Sequence, residues 1–241
     1  MKPSDLSPQL PWLLLQHDPD SDARPFYCLL SKMIHILYLP EAQGKWIVGS
    51  KHGWLILVEA ESSVMTLLNP ITRNIFILPN SSFTSDQVRR TTISSPPTSP
   101  TGCTVMVLLH DAPFVIYCSL FGNRWGQWVT INTKLPFDNF GAYDVIFHHK
   151  KFYVINDNLL LTIIDVATLV PTVSRVESIE LPSKGDGWMV KRAYLTESED
   201  DLLLNVFFGR SEYKEVNKDY FHQDIFHSRD FFNVFKLDES R

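Results

Sequence analysis

Three short polar segments of the sequence contain the residue types from which an active site could be built. The first, residues 49–53, reads Gly-Ser-Lys-His-Gly and superficially resembles the nucleophile elbow of hydrolases. The likeness fails in detail, because Lys51 stands at the centre of the motif and Ser50 comes one place too early. Glycines at both ends permit positive φ angles, so the segment predicts a tight reversal with His52 as a polar turn residue.

The second segment is the pair His148-His149, whose side chains belong to the type that binds metals or transfers protons. The pair stands at the end of a predicted strand, where successive side chains point to opposite faces of the sheet. That geometry argues against joint metal ligation. Because Lys150-Lys151 follows, the segment predicts a solvated hairpin turn.

The third segment is an acidic run that contains Glu197, Glu199, Asp200 and Asp201. Acid–base chemistry would need strong mutual repulsion between paired carboxylates, whereas an acidic run between two strands is usually an exposed turn. The sequence therefore predicts no catalytic, cofactor-binding or metal-binding residue. It does not reveal which residues bind a protein.

Composition excludes several classes of protein. The 241 residues carry a formal net charge of −5, which provides no basic surface of the kind that nucleic acids require. The three cysteines are widely spaced without a C-x-x-C pair, which argues against zinc and fits a reducing compartment. The apolar run at 12–15 is too short for a signal peptide or for a membrane span of about 20 residues. We expect a soluble protein of the cytoplasm or nucleus that binds neither nucleic acid nor membranes.

The elements that must position these segments are short strands joined by turns. Residues 46–78 contain four apolar runs separated by compact turn signals, which predicts one blade-sized antiparallel meander. No window shows a sustained helical period with caps at both ends. Sixteen strands are predicted along the chain: 26–30, 35–39, 46–48, 54–58, 65–68, 75–78, 103–109, 114–118, 127–131, 144–147, 151–155, 159–165, 172–180, 190–195, 201–208 and 231–237.

The composition of the strands favours one all-β architecture. The runs 54–58 and 202–208 are apolar at nearly every position, which suits strands that are buried on both faces. Propeller blades cover their inner strands on both sides, whereas a one-sheet barrel would show cleaner alternation. We therefore predict an all-β fold, a β-propeller of four-stranded antiparallel blades that is incomplete at about four blades. A β-sandwich is the alternative.

A segment rich in Ser, Thr and Pro, 81–101, interrupts the strand rhythm and is predicted to be a long loop. We interpret it as an exposed connection between blades with a short strand near 90–94. A regulatory interpretation stays open, because two Ser-Pro steps could accept phosphate, Ser95-Pro96 and Ser99-Pro100.

A second long loop is predicted at 209–229, where mixed charges and scattered aromatic residues alternate. Four aromatic side chains there could contact a partner, with half-buried packing as the alternative: Tyr213, Tyr220, Phe221 and Phe226. Five tryptophans fall in or beside predicted strands, and we expect them to pack in the core and between blades rather than to form a ligand platform: Trp46, Trp54, Trp125, Trp128 and Trp188.

Short motifs follow one another in a specific order over about residues 10–238. Among them are LPWLLL at 10–15, HGWL at 52–55, LLNP at 67–70, YDVIFH at 143–148 and VFKLD at 234–238. Each motif is modest alone, but their order and spacing resemble the plant F-box-associated β-propeller family, whose propellers are kelch-like. The resemblance implies a tail at 1–9 followed by one propeller domain at 10–241.

The resemblance further implies a function without catalysis. In such proteins an F-box binds the adaptor of a cullin-RING (SCF-type) ubiquitin ligase, while the propeller binds a protein target and presents it to the ligase. An F-box needs about 40–50 residues, and nine residues precede Leu10, so we expect adaptor binding only if an F-box lies upstream. The alternatives are a propeller-fold hydrolase such as a glycosidase, or a nonfunctional truncated paralogue.

Overall fold

The described residues form eighteen strands in five antiparallel sheets, and each sheet is one blade of a propeller. The computed structural model describes residues 12–18, 20–59, 62, 64–110, 112–120, 126–132, 142–156, 158–167, 170–175, 188–210 and 231–237. Blade 1 comprises β1 (Trp12–Leu14), β2 (Ala23–Cys28) and β3 (Met33–Tyr38). Blade 2 comprises β4 (Lys45–Lys51), β5 (Trp54–Glu59), β6 (Met65–Leu68) and β7 (Ile75–Ile77). Blade 3 comprises β8 (Val88–Ile93), β9 (Thr104–Leu109), β10 (Phe114–Ser119) and β11 (Trp128–Asn132). Blade 4 comprises β12 (Ala142–His148), β13 (Lys151–Asn156), β14 (Leu161–Asp165) and β15 (Thr172–Arg175). Blade 5 comprises β16 (Trp188–Ser198), β17 (Asp201–Arg210) and β18 (Phe231–Lys236).

The all-β propeller predicted from the sequence is confirmed, but the prediction of about four four-stranded blades is wrong. There are five blades, of which blades 2, 3 and 4 have four strands and blades 1 and 5 have three described strands each. The error arises from two strands, β1 and β8, that the sixteen predicted strands omit. β1 has only three residues, and in β8 the polar run Arg89-Arg90 follows the first residue, Val88, so neither shows a sustained apolar pattern.

The predicted loop 81–101 is not a loop throughout, because it contains β8. The short strand expected near 90–94 is present but begins at Val88, and it pairs with β9 in antiparallel register. Its last residues, Thr91 to Ile93, are buried, which explains why a polar sequence still forms a strand here. In the predicted loop 209–229, Gly209 and Arg210 still belong to β17. Residues 211–229 lie outside the described residues.

The stretch 46–78 forms one blade, as predicted, but its first turn is shorter than expected. Lys51 pairs with Trp54, so the reversal consists of His52 and Gly53 alone, with φ angles of 54° and 77°. Positive φ at both positions is typical of a two-residue hairpin turn. Gly49 lies inside β4 instead, beside a shift in strand register.

Strand β5 shows why the inner strands are apolar at every position. Trp54, Ile56 and Val58 belong to the apolar cluster between blades 2 and 3. Leu55 and Leu57 belong to the cluster between blades 1 and 2. Further clusters fill the junctions between blades 3 and 4 and between blades 4 and 5, so each pair of neighbouring blades shares its own core.

The first strands of blades 2 to 5 pack beside one another in the order β4, β8, β12, β16. This is the arrangement of strands that surround the axis of a propeller, and we call these four the axial strands. Neighbouring axial strands also share hydrogen bonds, since the Thr91 hydroxyl donates to the Val48 carbonyl at 3.1 Å. Within the described ranges, no helix is long and apolar enough to cross a membrane.

The tryptophans follow the prediction only in part. Trp54 is buried between blades 2 and 3, and Trp128 packs against the same cluster. The Trp128 indole also donates to the carbonyl of Pro79 at 2.8 Å, which ties blade 3 to the segment that leaves blade 2. Trp46 is 53% exposed, so the packing prediction is wrong for it. Trp125 and the side chain of Trp188 lie outside the described residues.

Candidate functional site

The three polar segments singled out in the sequence meet at the ends of the axial strands. Each contributes one side chain, and we call Lys51, His148 and Glu197 the axial cluster. The Lys51 ammonium lies 3.3 Å from Oε2 of Glu197, and Nδ1 of His148 lies 3.0 Å from Oε1 of the same carboxylate. One carboxylate therefore bridges two nitrogen-bearing side chains from two other blades.

The position of the three residues in their strands explains why they meet. Lys51 and His148 are the last residues of β4 and β12, and Glu197 is the last residue but one of β16. Each of these strands turns back at once through residues with positive φ. The axial strands pack side by side around the axis, and the contacts among these three residues place the ends of β4, β12 and β16 together.

Lys51 contacts two blades that are not adjacent to its own. Its ammonium donates to the carbonyl of Phe147 in blade 4 at 2.8 Å and pairs with Glu197 in blade 5. A side chain of blade 2 thus joins blades 4 and 5 past the intervening blade 3. The Lys51 side chain is only 17% exposed, so this tie is partly shielded from solvent.

The histidine pair confirms the predicted hairpin turn but differs from the predicted orientation of its side chains. The two rings do not point to opposite faces but stack, with their centroids 3.9 Å apart. The reason is that His149 already lies in the turn, with a φ of 42°, so strand alternation stops at His148. His149 and Lys150 form an exposed two-residue hairpin turn, as predicted, whereas His148 is buried at the end of β12.

The acidic run is also only partly the exposed turn that was predicted. Glu199 and Asp200 form the exposed reversal between β16 and β17, but Glu197 points into the axial cluster. Partial burial alone would raise the pKa of the Glu197 carboxyl. The hydrogen bond from His148 and the charge of Lys51 outweigh that effect, so the pKa of Glu197 lies below its ordinary value.

A second set of interacting polar side chains lies on the axial strands of blades 3, 4 and 5. Oδ2 of Asp144 accepts a hydrogen bond from the backbone amide of Leu195 at 2.8 Å, and Nε of Arg90 lies 3.9 Å from Oδ1. The Arg90 guanidinium stands 5.6 Å from the centre of the Tyr194 ring, within the range of a cation–π contact. Burial raises the pKa of Asp144, and the amide of Leu195 and the charge of Arg90 oppose that rise only in part.

The chemistry available to these groups is limited by the contacts that they already make. Glu197 is held by Lys51 and His148, and Asp144 is held by a backbone amide and Arg90. No cluster of three or more His, Cys, Asp or Glu side chains suited to a metal ion occurs among the residues that the structure describes. The arrangement can bind blades together across the axis. The prediction that the protein contains no catalytic residue stays a prediction.

Two of the three cysteines, Cys103 and Cys118, have thiols that burial makes unreactive. Burial raises the pKa of both Cys103 and Cys118 to about 11, so neither forms an appreciable thiolate at neutral pH. Both are free and buried, as is Cys28. Free buried thiols fit the predicted reducing compartment.

The Ser-Pro segment between β8 and β9 is an ordered turn. The Ser95 hydroxyl donates to the carbonyl of Gly102, and the Ser94 hydroxyl accepts from the amide of Thr104 at 2.9 Å. Ser99 instead shares a hydrogen bond with the Thr101 hydroxyl at the surface. The phosphate-accepting role stays a prediction, and the four aromatic residues predicted to contact a partner lie outside the described residues.

Comparison with known proteins identifies the fold at the level of a family. The sequence model of the KIB1-4 beta-propeller family matches residues 26–241. The chain belongs to this family. The match begins at Phe26 within β2, so it covers blades 2 to 5 of the KIB1-4 propeller and part of blade 1, and it confirms the resemblance to plant F-box-associated propellers.

Two curated relatives of this KIB1-4 propeller come from Arabidopsis thaliana. The F-box/kelch-repeat protein At1g57790 is 27% identical over 85% of this chain and 60% of its own length. The F-box protein At3g56470 is 26% identical over 64% of this chain and 42% of its own length. The chain thus spans about half the length of the curated relatives that it matches. Among solved structures, a BBS1N–ARL6DN complex aligns at 12% identity and a TM-score of 0.49, covering 83% of this chain and 61% of that one. With a TM-score below 0.5, that likeness adds nothing to the assignment of fold or function.

The axial cluster predicts a pH-dependent contribution to stability. We expect Glu197→Gln to lower the free energy of unfolding by about 1 kcal/mol at pH 7, because it removes the ion pair with Lys51 and weakens the hydrogen bond with His148. The loss is this small because both interactions are partly exposed to solvent. The pKa of Glu197 is depressed in the folded state. Its contribution is therefore present above the ordinary pKa of 4.5 and lost as the pH falls through the lower folded value. Urea unfolding at pH 7 and at pH 3 measures both effects.

Glu199→Gln is the control for this experiment, since Glu199 lies exposed two residues away in the adjoining turn. It should leave the midpoint unchanged at either pH. If Glu197→Gln behaves like Glu199→Gln at pH 7, the axial cluster does not stabilise the blades.

Proposed function

We propose that this KIB1-4 propeller binds a protein target and presents it to an SCF-type ubiquitin ligase without catalysing a reaction itself. The observation that carries the proposal is the family match over 26–241 together with two relatives that are F-box proteins. A propeller suits this task because its rigid blades hold loops in fixed relative positions.

The contacts on the axis support a binding role over a chemical one. Two carboxylates on the axial strands, Glu197 and Asp144, already hold the blades together through Lys51, His148 and Arg90. A glycosidase would instead need two carboxyl groups that face a substrate across a pocket. We place target binding in the cytoplasm or nucleus, which agrees with the free thiols of all three cysteines.

We propose that the propeller is linked to the adaptor of the ligase only when an F-box is joined to it. We expect the 241-residue chain alone to show no direct affinity for the adaptor, because its described residues are those of propeller blades. Fusing an F-box to the N-terminus should confer adaptor binding and should connect any bound target to ubiquitin transfer.

That fusion provides the decisive experiment. Plant cells expressing the fusion should show faster turnover of a small, reproducible set of proteins, measured by quantitative proteomics after translation is stopped. The effect should disappear with a proteasome inhibitor and with an F-box variant that does not bind the adaptor. If the fusion folds and binds the adaptor but changes the half-life of no protein, the target-binding role is wrong.

A further inference from the structure

Blade 1 buries only one of its two faces. Trp12, Leu14, Phe26 and Leu37 point toward blade 2 and share an apolar cluster with its strands. The strand register places the alternate residues on the opposite face. We call this opposite face the leading face, because it is the side on which a preceding blade would lie.

The leading face is apolar and open. Its most exposed members are Leu13, Ile34, Ile36 and Tyr38, whose exposed fractions are 47%, 56%, 55% and 65%. It contains no charged residue, and its members are Leu13, Ala23, Pro25, Tyr27, Ile34, Ile36 and Tyr38. Such exposure shows that none of the described residues covers this face. Contiguous apolar patches of this kind are uncommon on monomers and mark interaction sites.

Blade 5 leaves the β18 part of its opposite side exposed, and we call this opposite side the trailing face. Leu204, Val206 and Phe208 pack toward blade 4, whereas the alternate residues point away. On the trailing face Phe207 and Phe232 stack with their ring centroids 5.6 Å apart. Phe232 and Val234 are 61% and 49% exposed, although they lie on a sheet whose other side is a core.

The two open faces correspond to the two sides of a junction between neighbouring blades. At each of the four junctions inside this chain, the trailing face of one blade packs on the leading face of the next. The trailing face of blade 5 is therefore the type of surface that the leading face of blade 1 receives. On the trailing face the stacked Phe207–Phe232 pair and Val234 form an apolar ridge. Asn205 and Lys236 flank this ridge, and the Lys236 ammonium lies 2.8 Å from Oδ1 of Asp201. The ridge therefore matches a leading face without charges.

We propose that the leading face of blade 1 is an interface for a second copy of this chain, which docks on it with the trailing face of its blade 5. The contact continues the blade-to-blade packing from one chain into the next. It joins two different surfaces, so it is heterologous, and a heterologous contact that does not close into a ring allows further copies to add. The 241-residue chain then associates head to tail in a concentration-dependent way.

Analytical ultracentrifugation of the 241-residue chain over a wide concentration range tests the association. The average mass should rise with concentration, and Ile36→Lys should weaken association by about a hundredfold, because it buries an unpaired ammonium in the contact. Ile71→Lys is the matched control, since Ile71 is 69% exposed in the turn between β6 and β7 of blade 2. A mass that stays monomeric, or equal effects of the two substitutions, overturns the proposal and assigns the face to another occupant.

Cross-linking tests the orientation. One chain carries Ile36→Cys and a differently tagged chain carries Val234→Cys, both in a Cys28→Ala background with the other two cysteines buried. A short thiol cross-linker should join the two different chains more efficiently than two copies of either. Cross-links between two Ile36→Cys chains would show a face-to-face contact. Cross-links within one doubly substituted chain would show closure by the chain itself. Either result overturns the head-to-tail contact.

Discussion

Replacing Gly49 with valine is expected to lower the free energy of unfolding by about 3 kcal/mol. A Cβ at this position would overlap the Thr91 hydroxyl oxygen and would lie 2.8 Å from the Thr91 carbonyl oxygen. The Thr91 hydroxyl cannot turn away without losing its hydrogen bond to the Val48 carbonyl. The Thr91 carbonyl is part of the backbone of β8, so it can move only if β8 moves as well. The axial strands of blades 2 and 3 would have to separate. For a chain of this size the loss corresponds to a fall in Tm of about 6–12 °C.

Two further variants separate this steric effect from a general intolerance of β4. Ser50→Val adds the same side chain at the next, exposed position and should change Tm little. Combining Gly49→Val with Thr91→Ala removes the overlapping hydroxyl but leaves the Thr91 carbonyl, so it should recover only part of the loss. The close approach of β4 and β8 is wrong if Gly49→Val and Ser50→Val unfold at the same temperature.

The propeller architecture could be predicted because burial on both faces leaves a clear trace in the sequence. β6 lies at its predicted bounds, and β5 extends only one residue beyond its prediction. Both are apolar at nearly every position, since alternate residues enter the cores on either side of blade 2. The blade count failed at β8, whose first half is polar and whose burial comes from neighbouring axial strands.

The axial cluster could not be predicted, although each of its segments was recognised. Lys51 and Glu197 are 146 residues apart, and their meeting depends on how many blades lie between them. One signal was present in the sequence. Once β4, β12 and β16 are aligned as first strands of their blades, Lys51, His148 and Glu197 fall at or beside the last position of each. That alignment requires the blade boundaries, which were obscured because β8 was not among the sixteen strands used to count the blades.

The axial contacts and the proposed function are connected through rigidity. Lys51, Glu197 and His148 hold three blades at one end of the axis, while Asp144 and Arg90 hold blades 3, 4 and 5 along it. Polar groups that are used in this way are not available to a substrate. Under the proposed function we therefore expect a protein target to bind the loops and outer strands, which can vary in sequence without disturbing the axis.

Replacing Arg24 with methionine should also remove about 3 kcal/mol of stability, for a reason that concerns backbone groups rather than an ion pair. Arg24 is fully buried. Its guanidinium donates to the carbonyl of Ala42 at 2.7 Å, to that of Ala23 at 3.2 Å and to that of Ser21. Methionine retains an unbranched apolar side chain but leaves these carbonyls without that donor. Urea unfolding monitored by tryptophan fluorescence measures the loss.

Arg73→Met provides a matched control, because it removes the same side chain from a partly exposed pair. Arg73 lies 2.7 Å from Glu41 with its side chain 38% exposed, and a pair of this kind contributes about 0–1 kcal/mol. Arg24→Lys should fall between wild type and Arg24→Met, since one ammonium cannot reach both Ser21 and Ala42 as a planar guanidinium does. Equal unfolding midpoints for Arg24→Met and Arg73→Met would contradict the assignment. Because Ala42 lies in the turn Pro40–Ala42 that leads into β4, the loss should appear first as faster hydrogen exchange at the junction of blades 1 and 2.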